Sequence, residues 1–303
     1  MRHEMQSNKI LTIFTPTYNR AYILPKLYES LVSQTSKNFK WLLVDDGSTD
    51  STEELIATWI SDALIDIKYV KQENGGKQRA HNRAVSICDT ELFLCVDSDD
   101  FLIETAVNSF IEAWNPIRED NTVSGIIALK GYDLVTPIGT GFPKGVSFSP
   151  LSQLYQKYGY KGETALMFRS SILKDYFYDV ADGEKFITES YIYMQIDQKY
   201  TMLILNKILN ICGYQEDGYT KNIYKVIYNN PVSYMRLKKL SMELSPSLKF
   251  KYLNAINLIS AFFIVGKKER NFRWNLYTLP ALLPGYIVYC LRFKKFAKTD
   301  SSL

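Results

Sequence analysis

Residues 92–100 read Leu-Phe-Leu-Cys-Val-Asp-Ser-Asp-Asp, an apolar run that stops in three carboxylates within four residues. A continuous apolar run suits a strand buried on both faces, as in a parallel sheet covered by helices. Like charges crowded at the end of such a strand repel one another unless a cation or several donors lie among them. That favours a hard divalent ion with oxygen ligands, Mg²⁺ or Mn²⁺. Upstream, Ile10–Phe14, Lys40–Val44 and Ile67–Lys71 are runs of the same kind, beginning 25 to 30 residues apart. Between them Ile23, Leu24, Leu27 and Leu31, then Leu55, Ile56, Trp59 and Ile60, fall at helical spacing. Strand, turn, helix, strand is the rhythm of a doubly wound α/β domain.

In open α/β sheets ligands bind outside the carboxyl ends of the strands. All four runs end in chemically pointed sequence: Thr15-Pro16-Thr17-Tyr18-Asn19-Arg20, Asp45-Asp46-Gly47-Ser48, Asn74-Gly75-Gly76-Lys77-Gln78-Arg79, and Asp97-Ser98-Asp99-Asp100. Asp46-Gly47-Ser48 alone is an ordinary turn, and Asn74-Gly75-Gly76 alone a flexible one. Four such loops at one sheet edge are harder to dismiss. The chain lacks both the GxxxxGK[ST] phosphate loop and a GxGxxG after its first strand. Neutralising a pyrophosphate with a carboxylate-bound metal is the alternative chemistry, and it makes a nucleoside diphosphate a good leaving group.

TPTYNR (15–20), VDDGSTD (44–50), GGKQRAHN (75–82) and DSDD (97–100), in that order and spacing, resemble the nucleotide-sugar domain of family-2 glycosyltransferases of the GT-A fold. The resemblance covers about residues 8–110. It implies a Rossmann-like, mostly parallel sheet flanked by helices, and an inverting enzyme that moves a sugar from a nucleoside diphosphate sugar, a UDP-sugar, to a saccharide or lipid-linked saccharide. Surface polysaccharide synthesis is the setting it implies. Carried over by position, Thr15 and Tyr18 pack around the nucleobase and Asp46 binds its edge. Lys77 and Arg79, with Asn82, meet the phosphates or ribose. Asp97 faces the ribose or donor sugar, and Asp99 with Asp100 would hold the metal. Pro16, Arg20, Gly76 and Ser98 complete the donor-binding set on the same loops.

Inverting members need a base for the acceptor hydroxyl, which the family places in a Glu-Asp pair opening a helix of the second half. Here the matching stretch, Phe186 to Ile192, has Thr188 where Glu is usual and Glu189 where Asp is usual. Glu189 is the expected base, with Glu184 and Asp217 in reserve. A Glu in a first helical turn is also favoured by the helix dipole alone. Further expectations are a helix from Ile103 to Trp114, strands at Ile126–Leu129 and Thr164–Phe168, a helix at Thr188–Gln198, and a strand pair at Met202–Leu205 and Ile208–Cys212. Glu163 and Arg169, flanking the second of those strands, are candidates for the acceptor side.

At 303 residues, 46% hydrophobic and 14% aromatic, the chain can bury a substantial core, which excludes disorder for most of it. A net charge of +4 is too small for a nucleic-acid coat, and no nucleic-acid partner is expected. The charge is unevenly placed: residues 1–235 hold 23 basic and 29 acidic side chains, 236–303 hold 13 and 3. Four cysteines without a CxxC pair and two histidines argue against a zinc site or a disulfide scaffold. No secretory signal is read at the N-terminus, so the expectation is cytoplasmic. The expected division is a catalytic domain over 1–228, with a nucleotide-sugar half to 110 and an acceptor half over 111–228, then a basic helical extension over 229–303. In that extension Leu276–Leu291 is uncharged and precedes Arg292, Lys294 and Lys295, a pattern suited to peripheral attachment at an anionic inner membrane face. Two other readings of the chain are a non-catalytic partner subunit and a phosphotransferase using Asp97. Against the latter, such an enzyme carries its nucleophile after the first strand.

Overall fold

The computed structural model describes residues 9–213, 219–266, 272 and 274–297. Contacts gather them into two compact units, one of 9–177 with 196–213, the other of 178–195 with the described residues from 219 onward. The first unit runs β1 (Leu11–Thr17), α1 (Leu24–Val32), β2 (Phe39–Asp45), α2 (Thr52–Asp62), β3 (Ile67–Lys71), α3 (Lys77–Ile87), β4 (Leu92–Cys95), β5 (Phe101–Leu102) and α4 (Ala106–Trp114). It continues through β6 (Val123–Gly131), β7 (Phe148–Ser149), α5 (Leu151–Gln156), β8 (Thr164–Arg169), α6 (Ser170–Leu173) and β9 (Thr201–Ile211).

The strands form one sheet in the order β3-β2-β1-β4-β8-β6-β9-β5, with β7 paired to β9. β1 to β4 are mutually parallel, which is why their apolar runs are continuous and why their C-terminal ends share one edge. β8 enters antiparallel between β4 and β6, and β9 runs parallel to β6. The C-terminal ends of β6 and β9 and the start of β8 thereby reach the same edge as the acidic turn after β4. The core sits beneath it: Leu24, Leu27 and Leu31 of α1 bury one face on the sheet, where Tyr28 stacks on Trp59 at 4.3 Å and Trp41 is fully buried.

One expectation fails in detail. The predicted strand pair after Tyr200 is a single strand, β9, with a register shift: Ala128 faces Leu205 but Leu129 faces Ile208. Asn206 and Lys207, whose polarity reads as a turn, are accommodated as a bulge.

The second unit holds α7 (Ser190–Ile196), α8 (Tyr219–Asn229), α9 (Pro231–Leu244), α10 (Leu248–Val265), α11 (Leu282–Arg292) and α12 (Lys294–Ala297). The chain therefore divides elsewhere than at residue 228. The physical reason is a set of bonds onto the start of α9. Glu184 accepts the backbone N–H groups of Val232 at 2.8 Å and Ser233 at 2.7 Å, and Asn230 Oδ1 accepts those of Lys185 and Phe186. Ala255, Leu258, Ile259 and Ala261 of α10 are buried with Met235 and Met242 of α9. By length and composition α10 is long and apolar enough to cross a membrane. α11 packs on α10 through buried Gly285, which sits against Ile259, and exposes Leu282, Leu283, Tyr286, Ile287 and Leu291.

Candidate functional site

The first three loops are tied together before any ligand is considered. Asn19 adopts a left-handed φ of 53°, which asparagine tolerates, and its Oδ1 accepts the Thr49 N–H at 2.8 Å. Its own N–H donates to Ser48 Oγ at 2.8 Å. Asp46 then organises the glycine loop: its carboxylate accepts Gln72 Nε2 at 2.8 Å, the Gly75 N–H at 2.9 Å and the Gly76 N–H at 2.7 Å. Gly76 has φ 93° just before α3, a conformation glycine adopts without strain, and the helix opens on Lys77.

The sequence candidates separate on this frame. Thr15 is fully buried and its hydroxyl accepts the Trp41 indole N–H at 3.0 Å. Its side chain therefore braces β1 against β2 and is not presented to a nucleobase, which corrects the expectation. Thr17, two residues on, carries a buried hydroxyl for which no partner occurs among the described residues. Tyr18 is 48% exposed, available for stacking, while Pro16 is half-buried. Arg20 donates to Tyr22 Oη at 2.6 Å, and Arg79 to the Gly75 carbonyl at 2.9 Å. Asn82 is half-buried further along α3, and Ser98 is buried in the acidic turn. His81, on the inner face of α3, packs edge-on against Phe14 and Phe93; burial, aided by Lys77, pushes its pKa down to about 3, so it is a neutral core residue.

The carboxylates of the turn are treated unequally. Lys77 Nζ lies 2.6 Å from Asp97 Oδ1, and Lys130 Nζ lies 2.7 Å from Asp100 Oδ2. For Asp97, burial raises the pKa, but Lys77, Lys130 and Arg20 outweigh it and leave the group below the ordinary carboxylate value. A nucleophilic role for Asp97 fits poorly with that ion pair. Asp99 is pushed up to about 6, by burial first and then by the charges of Asp97 and Asp100. Asp100 is raised as well, by burial first, although Lys130 opposes the shift. What sets Asp99 apart is that, among the described residues, it makes no ion pair, whereas Asp97 and Asp100 each hold a lysine.

Among the described residues no group of three or more His, Cys, Asp or Glu is arranged to ligate a metal. A divalent ion at this edge would instead take one or two carboxylates and complete its shell with phosphate oxygens and water, the usual way Mg²⁺ is held. The unpaired carboxylate of Asp99 fits such an ion, and Arg20, whose charge acts on it, with Lys77 on the neighbouring Asp97, fits the remaining phosphate charge.

On the far side of the turn the sequence offered Glu163, as an acceptor-side candidate, but not Lys130, Cys212 or Gly213. Lys130 from β6, Glu163 before β8, and Cys212 and Gly213 after β9 all reach it. Cys212 Sγ lies 3.8 Å from Asp100 Oδ2 and 3.7 Å from Glu163 Oε2. Arg169, paired with Glu163 in the sequence reading, stands at the opposite edge, donating to the carbonyls of Arg118 and Asp120 with its guanidinium over Trp114. Glu189 is exposed in the second unit, one residue before α7. Glu184 is spent on the start of α9, which removes it as a reserve base, and Asp217 lies outside the described residues.

One strand edge of the α/β sheet thus gathers a glycine loop, an acidic turn and basic side chains. Residues 12–177, more than half of the chain, match the model of glycosyl transferase family 2, and the chain belongs to that family. The teichoic acid poly(glycerol phosphate) polymerase of Staphylococcus epidermidis is 32% identical over 106 residues, 35% of this chain and 15% of that protein. Glycosyltransferase GlyG of Streptococcus pneumoniae is 32% identical over 107 residues, 35% of each chain. The chain thus matches about a third or less of the length of these relatives. Among solved structures, Staphylococcus aureus TarS 1–349 in complex with UDP-GlcNAc superposes with a TM-score of 0.59 at 18% identity, covering 96% of this chain and 92% of that one. The mannosyltransferase PcManGT of Pyrobaculum calidifontis, in complex with GDP-Man and Mn²⁺, gives 0.55 at 14% identity, over 92% and 86%. Both likenesses establish the GT-A type of fold.

Proposed function

We propose that the protein is an inverting glycosyltransferase that moves a hexosyl or N-acetylhexosaminyl group from a UDP-sugar to a hydroxyl of a surface saccharide, such as a capsular or teichoic acid chain, or of its lipid-linked precursor. The observation that carries this reading is the convergence of four strand-end loops on one edge, with Lys77 paired to Asp97 and the charge of Arg20 acting on the unpaired carboxylate of Asp99. Tyr18 supplies an exposed ring for the base. Asp46 shapes the glycine loop that opens α3. Of the expected pair Asp99 and Asp100, Asp99 is the one that would hold Mg²⁺ or Mn²⁺ directly, since Asp100 is engaged by Lys130; the ion when bound offsets charge developing on the leaving diphosphate. Glu189 accepts the proton of the acceptor hydroxyl as its oxygen bonds to the anomeric carbon. The bond from that carbon to the diphosphate oxygen breaks, and UDP leaves with the electron pair.

In the same reading the basic C-terminal helices rest on an anionic cytoplasmic membrane face. The apolar side chains that α11 exposes lie next in sequence to Arg292, Lys294 and Lys295, and apolar contact plus adjacent cations is how a segment holds such a surface. UDP release from a panel of UDP-sugars, with Mn²⁺ and a saccharide acceptor, tests the central reading. Acceptor-stimulated release that disappears in Glu189→Gln supports it; no release from any UDP-, GDP- or dTDP-sugar overturns it.

A further inference from the structure

The far wall of the acidic turn is built as carefully as its open side. Lys130 stands near the C-terminal end of β6, 14% exposed, and its Nζ meets Asp100 Oδ2 at 2.7 Å, the Asp100 side chain being 7% exposed. Such a pair does not arise on a surface by chance of rotamer. Two charges removed from water in this way hold only when each satisfies the other, so loss of one partner strands the other. The backbone closes on the same spot. A Cβ placed on Gly213 would lie 2.1 Å from the Asp99 carbonyl oxygen, which leaves no room for any other residue there, and the Gly213 N–H points at Asp100 Oδ1 at 3.4 Å. The 97–100 turn is therefore gripped from β6 through a side chain and from the end of β9 through the backbone. Asp97 is balanced by Lys77 and Asp100 by Lys130. Asp99, between them in sequence, makes no ion pair among the described residues.

We infer that Lys130 is a positioning residue of the donor site: by clamping Asp100 it fixes the turn so that Asp99 is presented to the metal and diphosphate, and it does so through Asp100 rather than by touching the ligand. The inference rests on the nucleotide-diphosphate reading above and extends it to a residue on a different strand, 30 positions beyond the motif. Lys130 has two distinguishable ways to matter. A lysine that reached the phosphates itself would act independently of Asp100. A lysine that acts through Asp100 has nothing left to do once Asp100 is neutral.

A double-mutant cycle separates these. Lys130→Met, Asp100→Asn, the combined variant and Lys130→Arg are compared with the full-length wild-type chain by calorimetric titration with UDP at fixed Mn²⁺, and by Tm without ligand. Lys130→Met is expected to weaken Mn²⁺-dependent UDP binding about 10- to 100-fold, the usual cost of removing an outer partner of a metal-holding group, and to lower Tm. Lys130→Arg is expected to restore most of both. The combined variant is expected to bind no worse than the weaker single variant, with a Tm above that of Lys130→Met. Losses that multiply in the combined variant would overturn the inference in favour of direct contact with the ligand. Unchanged UDP affinity in Lys130→Met would overturn it in favour of a purely structural pair. Failure of the wild type to bind UDP, GDP or dTDP with Mn²⁺ would instead strike the nucleotide reading itself, a result distinct from both.

Discussion

The two edges of the sheet carry similar side chains and spend them differently. At the edge where β4 begins, Glu91 accepts the Trp114 indole N–H at 2.8 Å and the Arg118 guanidinium, and Asp89 takes Lys40 at 2.6 Å. Asp89, Glu91, Arg118 and Arg169 line a cleft of about 320 Å³, in which Asp89 and Glu91 already hold partners from the fold. At the edge where β4 ends, Lys77 and Lys130 balance Asp97 and Asp100, while Asp99 is held near pKa 6 by burial and by its two acidic neighbours. A carboxylate whose charge is consumed inside the protein is structural. In the proposed reading, one left half-buried beside like charges and without an ion pair of its own is kept for a ligand.

The same contrast separates the two candidate bases, and here the largest effect is expected. Glu189→Gln should reduce turnover about 10²- to 10⁴-fold, the range for loss of a general base, with UDP affinity unchanged by titration. Glu184→Ala should instead cost about 1–2 kcal/mol of stability, as lost helix caps do, read as a lower Tm. Equal turnover losses in the two variants would break the distinction.

His81 sharpens the picture under α3. Its folded pKa, about 3, lies below the ordinary 6.5. As pH falls below 6.5 the unfolded chain binds a proton that the folded chain refuses, so stability drops toward pH 3 with a slope of up to about 1.4 kcal/mol per pH unit. The Tm of His81→Gln should therefore fall less steeply than that of wild type between pH 6.5 and 4. Parallel curves would show that the imidazole is not kept neutral.

Gly213→Ala comes next. With the Asp99 carbonyl in the way of any Cβ, the turn must shift, at a cost of about 1–3 kcal/mol typical of overpacking. Mn²⁺-dependent UDP affinity should weaken with it. An unshifted Tm and affinity would mean that the end of β9 gives way freely. Smallest of all, Asp89→Asn removes an exposed ion pair at the other edge and should change stability by less than about 1 kcal/mol, leaving UDP binding as in wild type.

The near side of the site was legible because parallel strands deliver their C-terminal ends to one edge: four motifs at residues 15–20, 45–48, 74–79 and 97–100 announce themselves as polar sequence after apolar runs. Roles within those motifs were less legible. Thr15 looks like a ligand residue in a string but is a brace for Trp41, because its side chain projects from β1 onto a covered face of the sheet, where the Trp41 indole of β2 meets it. The far side gave little signal beyond Glu163, which the sequence assigned to the acceptor side. Lys130, Glu163 and Gly213 belong to β6, the start of β8 and the end of β9, and only the antiparallel insertion of β8 beside β4 brings them together. A single lysine ending an apolar strand looks like any other. The bulge at Asn206-Lys207 hid the length of β9 for a related reason, since polar residues accommodated by a register shift read as a turn.

The central claim is that Asp99 holds the charge reserved for a metal-bound diphosphate. Its most direct test is the binding of Mn²⁺, followed by electron paramagnetic resonance, with and without UDP in wild type, Asp99→Asn and Asp89→Asn. The account predicts UDP-dependent uptake of Mn²⁺ in wild type and Asp89→Asn, and its loss in Asp99→Asn. Undiminished uptake in Asp99→Asn would contradict it.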